Sequence, residues 1–96
     1  MADIEFEWDP YKAAENRRRH AVSFEEAKTA FGDELALVID DPDHSIKEER
    51  FLLLGFSSSF RMLVVSHCYR NNVIRIISAR KATRTERNTY AKRWLK

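Results

Sequence analysis

The sequence predicts an α+β domain with the element order β-α-α-β-β-β-β-α, in which the helices pack on one face of an antiparallel sheet. Three observations support this class. Apolar residues recur at helical spacing near both ends of the chain. Between these ends, residues 35–79 contain four apolar runs of strand length. The links between the last three runs are short and polar, as expected for an antiparallel meander.

The chain has 96 residues, and we expect one domain over residues 1–96. Hydrophobic residues make up 44% of it, with only two Gly and two Pro, which excludes general disorder. The longest uncharged apolar run, residues 51–60, is about half of the roughly 20 residues that a membrane-spanning helix needs. The lone Cys68 excludes an intramolecular disulfide. We therefore expect a cytoplasmic protein that does not contact a membrane.

The first predicted elements are a short strand and a helix. Residues 4–8 alternate apolar and acidic side chains, the pattern of a strand with one buried face. Asp9 and Pro10 follow, and Asp is a favoured N-cap while Pro fits the first helical turn. We predict a helix from this point to about His20.

A second helix is predicted from Ser23. The run Ser23-Phe24-Glu25-Glu26 fits the S-x-x-E capping box, in which the Ser and Glu side chains each accept a hydrogen bond from a free backbone N–H. The helix is expected to run to about Phe31 and to end at Gly32 and Asp33.

Extended structure is predicted for residues 35–39, 51–56, 62–69 and 73–79. The polar links between the last three strands include Asn71 and Asn72, and Asn tolerates the left-handed backbone of tight hairpins. Because side chains alternate along a strand, Arg80 is expected to share a face with Ile74 and Ile76, and Arg75 to lie on the other face.

The last predicted element is a helix with a second capping box, Thr83-Arg84-Thr85-Glu86. Tyr90, Ala91, Trp94 and Leu95 recur along it at helical spacing. The chain contains no internal repeat and no linker.

Charge is strongly segregated along the chain. Residues 1–50 carry 14 acidic and 7 basic side chains, whereas residues 51–96 carry one acidic residue, Glu86, and 10 basic ones. A basic face with few carboxylates is the usual footprint of a polyanion site. Neutralisation of one half by the other across the sheet is the alternative. Four aromatic residues are candidates for stacking on unpaired bases: Phe60, Tyr69, Tyr90 and Trp94.

His20 and a group of basic residues are the candidates for chemistry. His20 ends the first predicted helix after three Arg; imidazole suits proton transfer in a phosphate site, although compensation of the helix dipole explains the run equally well. Guanidinium groups bind phosphate in a bidentate manner. The basic candidates in the second half are Arg61, Arg75, Arg80, Lys81, Arg84 and Arg87. Glu86 is either a general base or, as we favour, only the capping partner of Thr83.

The sequence gives little support for a metal, a cofactor or a nucleophilic residue. His67 and Cys68 are neighbours in a predicted strand, so their side chains point to opposite faces and cannot bind one ion together. Asp41, Asp43 and His44 form an acidic turn that is more typical of solvated residues than of a cation site. Cys68 is interpreted as a packed, unreactive thiol. We expect no metal and no cofactor.

A series of residues matches one family in order. They are Glu7-Trp8-Asp9-Pro10, Lys12, Asn16, Arg19-His20, residues 23–27, Phe31, residues 49–51, Gly55, residues 76–83 and Glu86-Arg87. From about Phe6 to Tyr90 the chain resembles the BrnT toxins of bacterial and archaeal type II toxin–antitoxin systems. It departs at Arg19-His20-Ala21, where the family usually has Lys-His-Gly, so position 19 offers positive charge but no lysine amine.

The resemblance implies a RelE-like fold and a metal-independent endoribonuclease that blocks translation. It also implies a BrnA-type antitoxin that neutralises the toxin and carries a ribbon-helix-helix DNA-binding domain. Operator DNA would then be contacted only through the antitoxin, and a heterotetramer of the two proteins is expected.

For the reaction we expect in-line attack of a ribose 2′-hydroxyl on the adjacent phosphate. His20 is the first candidate for proton transfer, and His67 is held in reserve. Arg61 and Arg80 are the candidates for stabilising transition-state charge, and Arg19 and Lys81 for positioning phosphates. The alternative function is a nucleic-acid-binding or protein-binding module that uses the same basic half without catalysis.

Overall fold

A computed structural model describes residues 4–42 and 48–93 of the chain, and the predicted α+β class is confirmed. The elements are β1 (Glu5–Glu7), α1 (Pro10–His20), α2 (Phe24–Ala30), β2 (Leu37–Asp40), β3 (Phe51–Phe56), β4 (Met62–Arg70), β5 (Val73–Lys81) and α3 (Arg84–Lys92). Asp43, His44, Trp94 and Leu95, which the sequence singled out, lie outside the described residues.

The five strands form one mixed sheet in the order β1-β5-β4-β3-β2. Strands β2 to β5 pair antiparallel in sequence order, which confirms the predicted meander. The prediction of a wholly antiparallel sheet is wrong at β1, which pairs parallel with β5. The reason is the path of the chain: α1 and α2 carry it across the sheet to the far edge, and the meander then returns to the side of β1.

The main core lies between α1, α2 and one face of the sheet. Its buried residues are Val22, Phe24, Ala27, Ala30, Leu53, Leu63, Val65, Ile76 and Ala79. The alternation in β1 places Phe6 and Trp8 against this core, where Trp8 contacts Phe24 edge to face at 6.0 Å between ring centroids. Burial of each large side chain contributes roughly 1.5–3 kcal/mol.

The prediction that the helices lie on one face is wrong for α3. Along β3 and β4, Leu54 and Val64 alternate with the core residues Leu53 and Val65 and so point to the second face. Residues of α3 line an apolar groove together with Leu54 and Val64. Strand β3 is apolar on consecutive positions, so both faces of the sheet need cover.

A β-bulge in β5 changes the predicted faces of its residues. Ser66 pairs with Ser78 and His67 pairs with Ile76, so Ile77 is an extra residue. The alternation therefore shifts by one position. Arg80 shares the second face with Arg75, and the prediction that the two arginines lie on opposite faces is wrong.

Asn16, in α1, fastens the helix layer to β5. Its Nδ2 donates to the carbonyl oxygens of Ala79 at 2.8 Å and Val22 at 2.9 Å, and its Oδ1 accepts from the Ala79 N–H at 3.0 Å. Because β1 pairs only with residues 73–75, no strand among the described residues neighbours the backbone of β5 beyond that point on this edge. The buried amide of Asn16 supplies the missing partner.

His67 and Cys68 are both interior residues. The His67 ring lies among Phe31, Phe51 and Tyr69, and Nδ1 is 3.0 Å from the Val65 carbonyl. Burial lowers the pKa of His67, although the Val65 contact opposes the shift. Burial and the neighbouring Glu48 carboxylate raise the pKa of Cys68 to about 11, in agreement with an unreactive thiol. The reserve candidate for proton transfer therefore lies inside the core.

Candidate functional site

The turn between β3 and β4 is fastened to α2. The hydroxyl of buried Ser57 donates to Glu26 Oε2 at 2.7 Å and accepts from the backbone N–H groups of Ser59 at 3.2 Å and Arg61 at 3.3 Å. The Ser57 N–H also donates to the Arg61 carbonyl at 2.9 Å. These bonds fix the backbone from which the Arg61 side chain leaves.

The guanidinium of Arg61 joins three parts of the fold. Its Nε donates to Glu26 Oε2 at 2.9 Å, and its Nη2 donates to Glu26 Oε1 and to the Ala21 carbonyl at 3.0 Å. The hydrogen bond from Arg61 lowers the pKa of Glu26 although burial opposes the shift. Within residues 4–42 and 48–93, Nη1 makes no hydrogen bond, so one amino group of a fixed cation remains to bind a ligand.

Glu26 is a site residue that the sequence did not reveal. The Ser23 hydroxyl accepts from the Glu26 N–H at 3.0 Å, as the capping box predicts. The prediction that the Glu26 side chain accepts a hydrogen bond from a free backbone N–H at the start of the helix is wrong, because its carboxylate binds Arg61 and Ser57 instead. A charge-assisted pair with a guanidinium is stronger than a bond to a neutral N–H. The capping motif explained Glu26 completely on local grounds and so concealed this role.

Arg80 forms a second ion pair at the start of α3. Its two terminal nitrogens donate to the two carboxylate oxygens of Glu86, each at 2.8 Å. Glu86 also accepts from the Thr83 N–H at 2.8 Å, and Thr83 Oγ1 accepts from the Glu86 N–H at 3.2 Å. The predicted capping box is confirmed. The hydrogen bonds from Arg80 and Thr83 outweigh burial and lower the pKa of Glu86 to about 2, so this carboxylate is a weak base at neutral pH.

Three of the predicted basic residues line one open cleft of about 320 Å³. We call it the basic cleft, and it is formed by Phe56, Phe60, Arg61, Met62, Lys81, Ala82 and Arg87. No ion pair joins Lys81 or Arg87 to a carboxylate in the described part of the chain. Positive side chains beside exposed aromatic rings suit a ligand with both phosphates and flat bases.

The end of α1 lies close to the basic cleft. Ala21, which follows His20, has a left-handed backbone with φ of 57° and caps the helix through a bond from its N–H to the Arg17 carbonyl. Its own carbonyl accepts from Arg61, so His20 is one residue from a contact of Arg61. Arg19 and His20 are both exposed. Arg84 is exposed in the first turn of α3.

Arg75 lies away from these residues. It is six residues before Lys81 on β5, which at about 3.3 Å per residue is roughly 20 Å. Its Nη1 donates to Glu7 of β1 at 2.5 Å. Together with the pairs Arg61–Glu26 and Arg70–Glu48, this contact joins the basic half of the chain to the acidic half. Cross-sheet neutralisation, the alternative that the sequence left open, therefore accounts for part of the basic charge.

The aromatic residue Tyr90 anchors α3 to the loop after α2. Its hydroxyl donates to Asp33 Oδ2 at 2.8 Å, and the same oxygen accepts from the Phe56 N–H at 2.9 Å. Burial and the Asp33 carboxylate raise the pKa of Tyr90 to about 12. Tyr90 is thus a structural residue that holds α3 against this loop.

Residues 4–42 and 48–93 contain no group of three or more His, Cys, Asp and Glu side chains that could hold a metal ion. None of the helices in these ranges is long and apolar enough to cross a membrane.

Comparisons with known proteins give one family and one fold. A family model described as the ribonuclease toxin BrnT of type II toxin–antitoxin systems matches residues 8–86. The 1.1 Å crystal structure of the Brucella abortus ribonuclease toxin BrnT superposes with a TM-score of 0.62 at 16% sequence identity, over 85% of this chain and 100% of that one. At that identity the superposition shows a shared fold. No curated protein sequence matches significantly.

Proposed function

The chain belongs to the BrnT family of ribonuclease toxins of type II toxin–antitoxin systems, and from this premise we propose that its basic cleft binds and cleaves RNA. A family of this kind has an RNA substrate and an antitoxin partner. The observation that carries the proposal is the arrangement of Arg61, Lys81 and Arg87 around one cleft. Arg61 is held from behind by Glu26 and retains Nη1 for a phosphate oxygen.

The proposed reaction is an in-line attack of a ribose 2′-oxygen on the adjacent phosphorus. The O2′–P bond forms and the P–O5′ bond breaks, which leaves a 2′,3′-cyclic phosphate and a 5′-hydroxyl. A base takes the proton from the 2′-hydroxyl, and an acid protonates the leaving 5′-oxygen. Negative charge develops on the phosphorane oxygens, and fixed guanidinium groups stabilise it without a metal ion.

Within this scheme His20 is the proton-transfer residue, supported by its position beside the Arg61 contact at Ala21. Arg61, which lines the cleft, stabilises the phosphorane; Arg80, which precedes Lys81 in β5 but does not line the cleft, is the second candidate for this role. The residues that hold flanking phosphates are Arg19, Lys81, Arg84 and Arg87. Glu86 positions Arg80, as the low pKa of its carboxyl supports. Arg75 is left out of the scheme because it pairs with Glu7 at the other end of β5.

The test is incubation of the purified protein with structured RNA in EDTA. We expect fragments with cyclic-phosphate ends from the wild type, and release of fragments slower by about 10² or more from Arg61→Ala or His20→Ala proteins that retain wild-type circular dichroism. Arg18→Ala is the matched control, because Arg18 is an exposed arginine of α1 that pairs with Glu15. Binding of RNA without any fragment would instead indicate the non-catalytic module.

We also propose that the partner is a BrnA-type antitoxin with a ribbon-helix-helix domain. In this proposal the two proteins form a cytoplasmic heterotetramer, and operator DNA is bound through the antitoxin alone. The RelE-like classification of the fold is part of the same proposal. Co-expression with the adjacent open reading frame, followed by mass measurement on a sizing column, tests the stoichiometry; a toxin that elutes alone contradicts it.

A further inference from the structure

Phe60 is the most exposed large apolar residue of the described chain, and it lies at the basic cleft. We infer that the Phe60 ring is a stacking platform for one unpaired base, so that the cleft selects single-stranded RNA over duplex RNA. This inference rests on the proposed function and adds the structural class of the substrate. It places a base beside the phosphate that Arg61 would bind.

The exposure of Phe60 is built into a rigid turn. The ring is on a residue with 87% of its surface exposed, yet its backbone N–H donates to the Ser57 carbonyl at 2.9 Å. The turn is tied to α2 at two points, through the Ser57 hydroxyl to Glu26 and through the Ser58 N–H to Thr29 Oγ1 at 2.9 Å. The backbone that carries the ring is therefore held in place, which reduces the entropy lost when a ligand stacks on the ring.

The backbone of Phe60 is also unfavourable for its side chain. Its φ is 60°, in the left-handed region that glycine adopts without strain and bulky residues rarely adopt. A strained, exposed phenylalanine in a fixed turn gains nothing for folding. Such strain is characteristic of residues that contact ligands.

The other aromatic candidates for stacking have structural roles or lie elsewhere. Tyr90 is buried and hydrogen-bonded to Asp33. Tyr69 is on β4 near its far end, where its ring packs against Phe51 and His67. Trp94 lies outside the described residues. Phe60 is thus the candidate that the fold brings to the basic cleft.

The neighbours of Phe60 determine the class of ligand. A base has a flat face that stacks on an aromatic ring, and its phosphate can at the same time reach the cations of Arg61, Lys81 and Arg87. In an RNA duplex the bases are stacked on one another and their faces are not available. A single strand, a loop or a bulge can supply both groups to the cleft.

The experiment measures affinity for a non-cleavable probe, a mixed-sequence 2′-O-methyl RNA of about 12 nucleotides, by fluorescence anisotropy, both alone and annealed to its complement. We expect Phe60→Ala and Phe60→Gly each to weaken binding of the single strand about 10-fold and to leave duplex binding unchanged. Phe60→Trp should remain within about 3-fold of the wild type, since its ring still stacks. Tyr11→Ala is the matched control: Tyr11 is 74% exposed on α1 and should have no effect.

Two failures are distinguishable in this design because cleavage of unmodified RNA is measured in parallel. Wild-type affinity of Phe60→Ala and Phe60→Gly for the single strand, with cleavage retained, overturns the stacking platform and leaves the ribonuclease in place. Equal wild-type affinity for single strand and duplex also overturns it. Loss of single-strand affinity in Phe60→Ala from a wild type that cleaves no RNA supports the platform but overturns the nuclease.

Discussion

The N-termini of α2 and α3 begin with the same motif and use it differently. Each helix has a hydroxyl N-cap and a glutamate three residues later, Ser23 with Glu26 and Thr83 with Glu86. In α3 the glutamate completes the capping box and also binds Arg80. In α2 the glutamate side chain does not complete the capping box and binds Arg61 instead. A local motif therefore fixes where a helix starts, while the tertiary partner decides what its carboxylate holds.

The two arginines also differ in how much of the fold they join. Arg80 binds residues close to it in the chain, Lys81 and Glu86. Arg61 binds Glu26 and the Ala21 carbonyl, 35 and 40 positions away. Arg61 is thus the cation that links separate elements of the fold, whereas Arg80 joins neighbouring segments.

The largest expected effect comes from removing Arg61. We expect Arg61→Ala to lower kcat for RNA cleavage by about 10²–10³, the range for loss of one fixed donor to a developing anion. Arg61→Lys keeps the charge but not the planar contact with Glu26 and the carbonyl of Ala21, and should recover only part of the rate. Single-turnover cleavage measures both. Full activity of Arg61→Ala would make Arg80 the main cation and reverse the comparison.

The next prediction concerns Asn16, which connects the segment before Arg80 to the segment after Ala21. Asn16 binds Ala79, the residue before Arg80, and Val22, the residue after Ala21. Asn16→Leu leaves the buried N–H and C=O of Ala79 without a partner, which should cost about 2–4 kcal/mol of unfolding free energy. Urea unfolding measures this, with the exposed Asn88→Ala as control. If Asn16→Leu lowers the unfolding free energy no more than Asn88→Ala does, the hydrogen bonds of Asn16 contribute little to stability.

The stability of the protein should fall at acid pH, in part because Glu86 becomes protonated. Because the folded pKa of Glu86 is about 2, below its unfolded value near 4.5, its contribution to stability is complete above pH 4.5 and is lost as the pH falls towards 2. With allowance for its partial exposure, we expect the loss to be about 2 kcal/mol. Urea unfolding from pH 7 to 3 should therefore show a weaker acid dependence for Glu86→Gln than for the wild type.

Glu26→Gln provides the comparison in the same experiment, because Arg61 lowers the pKa of Glu26 in the same direction. Glu26→Gln should also unfix Arg61 and so reduce cleavage at neutral pH. Glu86→Gln should affect cleavage less, since Arg80, the residue that Glu86 holds, does not line the basic cleft. Identical pH profiles for the wild type and Glu86→Gln would contradict the assigned pKa.

The smallest expected effect is an increase in stability on substitution of Ala21. Ala21 has a left-handed backbone that glycine adopts freely, so Ala21→Gly should raise the unfolding free energy by about 0.5–1 kcal/mol. Its carbonyl still accepts from Arg61, so cleavage should be unchanged. Ala14→Gly, on the exposed side of α1, is the matched control and should lower stability by a similar amount. Thermal unfolding should show a higher Tm for Ala21→Gly and a lower Tm for Ala14→Gly than for the wild type. A lower Tm for both variants would contradict the left-handed backbone of Ala21.

Local signals predicted most of the fold from the sequence. Asp9 and Pro10 predicted the start of α1, and the structure confirms the helix at Pro10–His20. The run at residues 51–56 matched β3 without error. The predicted strand at 35–39 is instead Leu37–Asp40, because Asp33 uses both carboxylate oxygens to hold the loop before it, at the N–H groups of Leu35 and Phe56.

The errors arose where distant residues decide the outcome. The parallel pairing of β1, the position of α3 on the second face and the bulge at Ile77 depend on contacts between segments far apart in sequence. The site shows the same division. Residue types predicted Arg61 as a residue for transition-state charge, and Lys81 and Arg87 as phosphate-binding residues. Nothing local indicates that Glu26 positions Arg61 or that Arg75 pairs with Glu7.

The bulge in β5 lets that strand vary in length by one residue without a change in its pairing. Removal of the codon for Ile77 would leave Ile76 opposite His67 and Ser78 opposite Ser66, so the ladder would become regular while Arg80 and Lys81 kept their faces. Among natural variants, a chain that lacks this one residue should therefore still place Lys81 at the basic cleft, and the deletion is not a mark of an inactive copy.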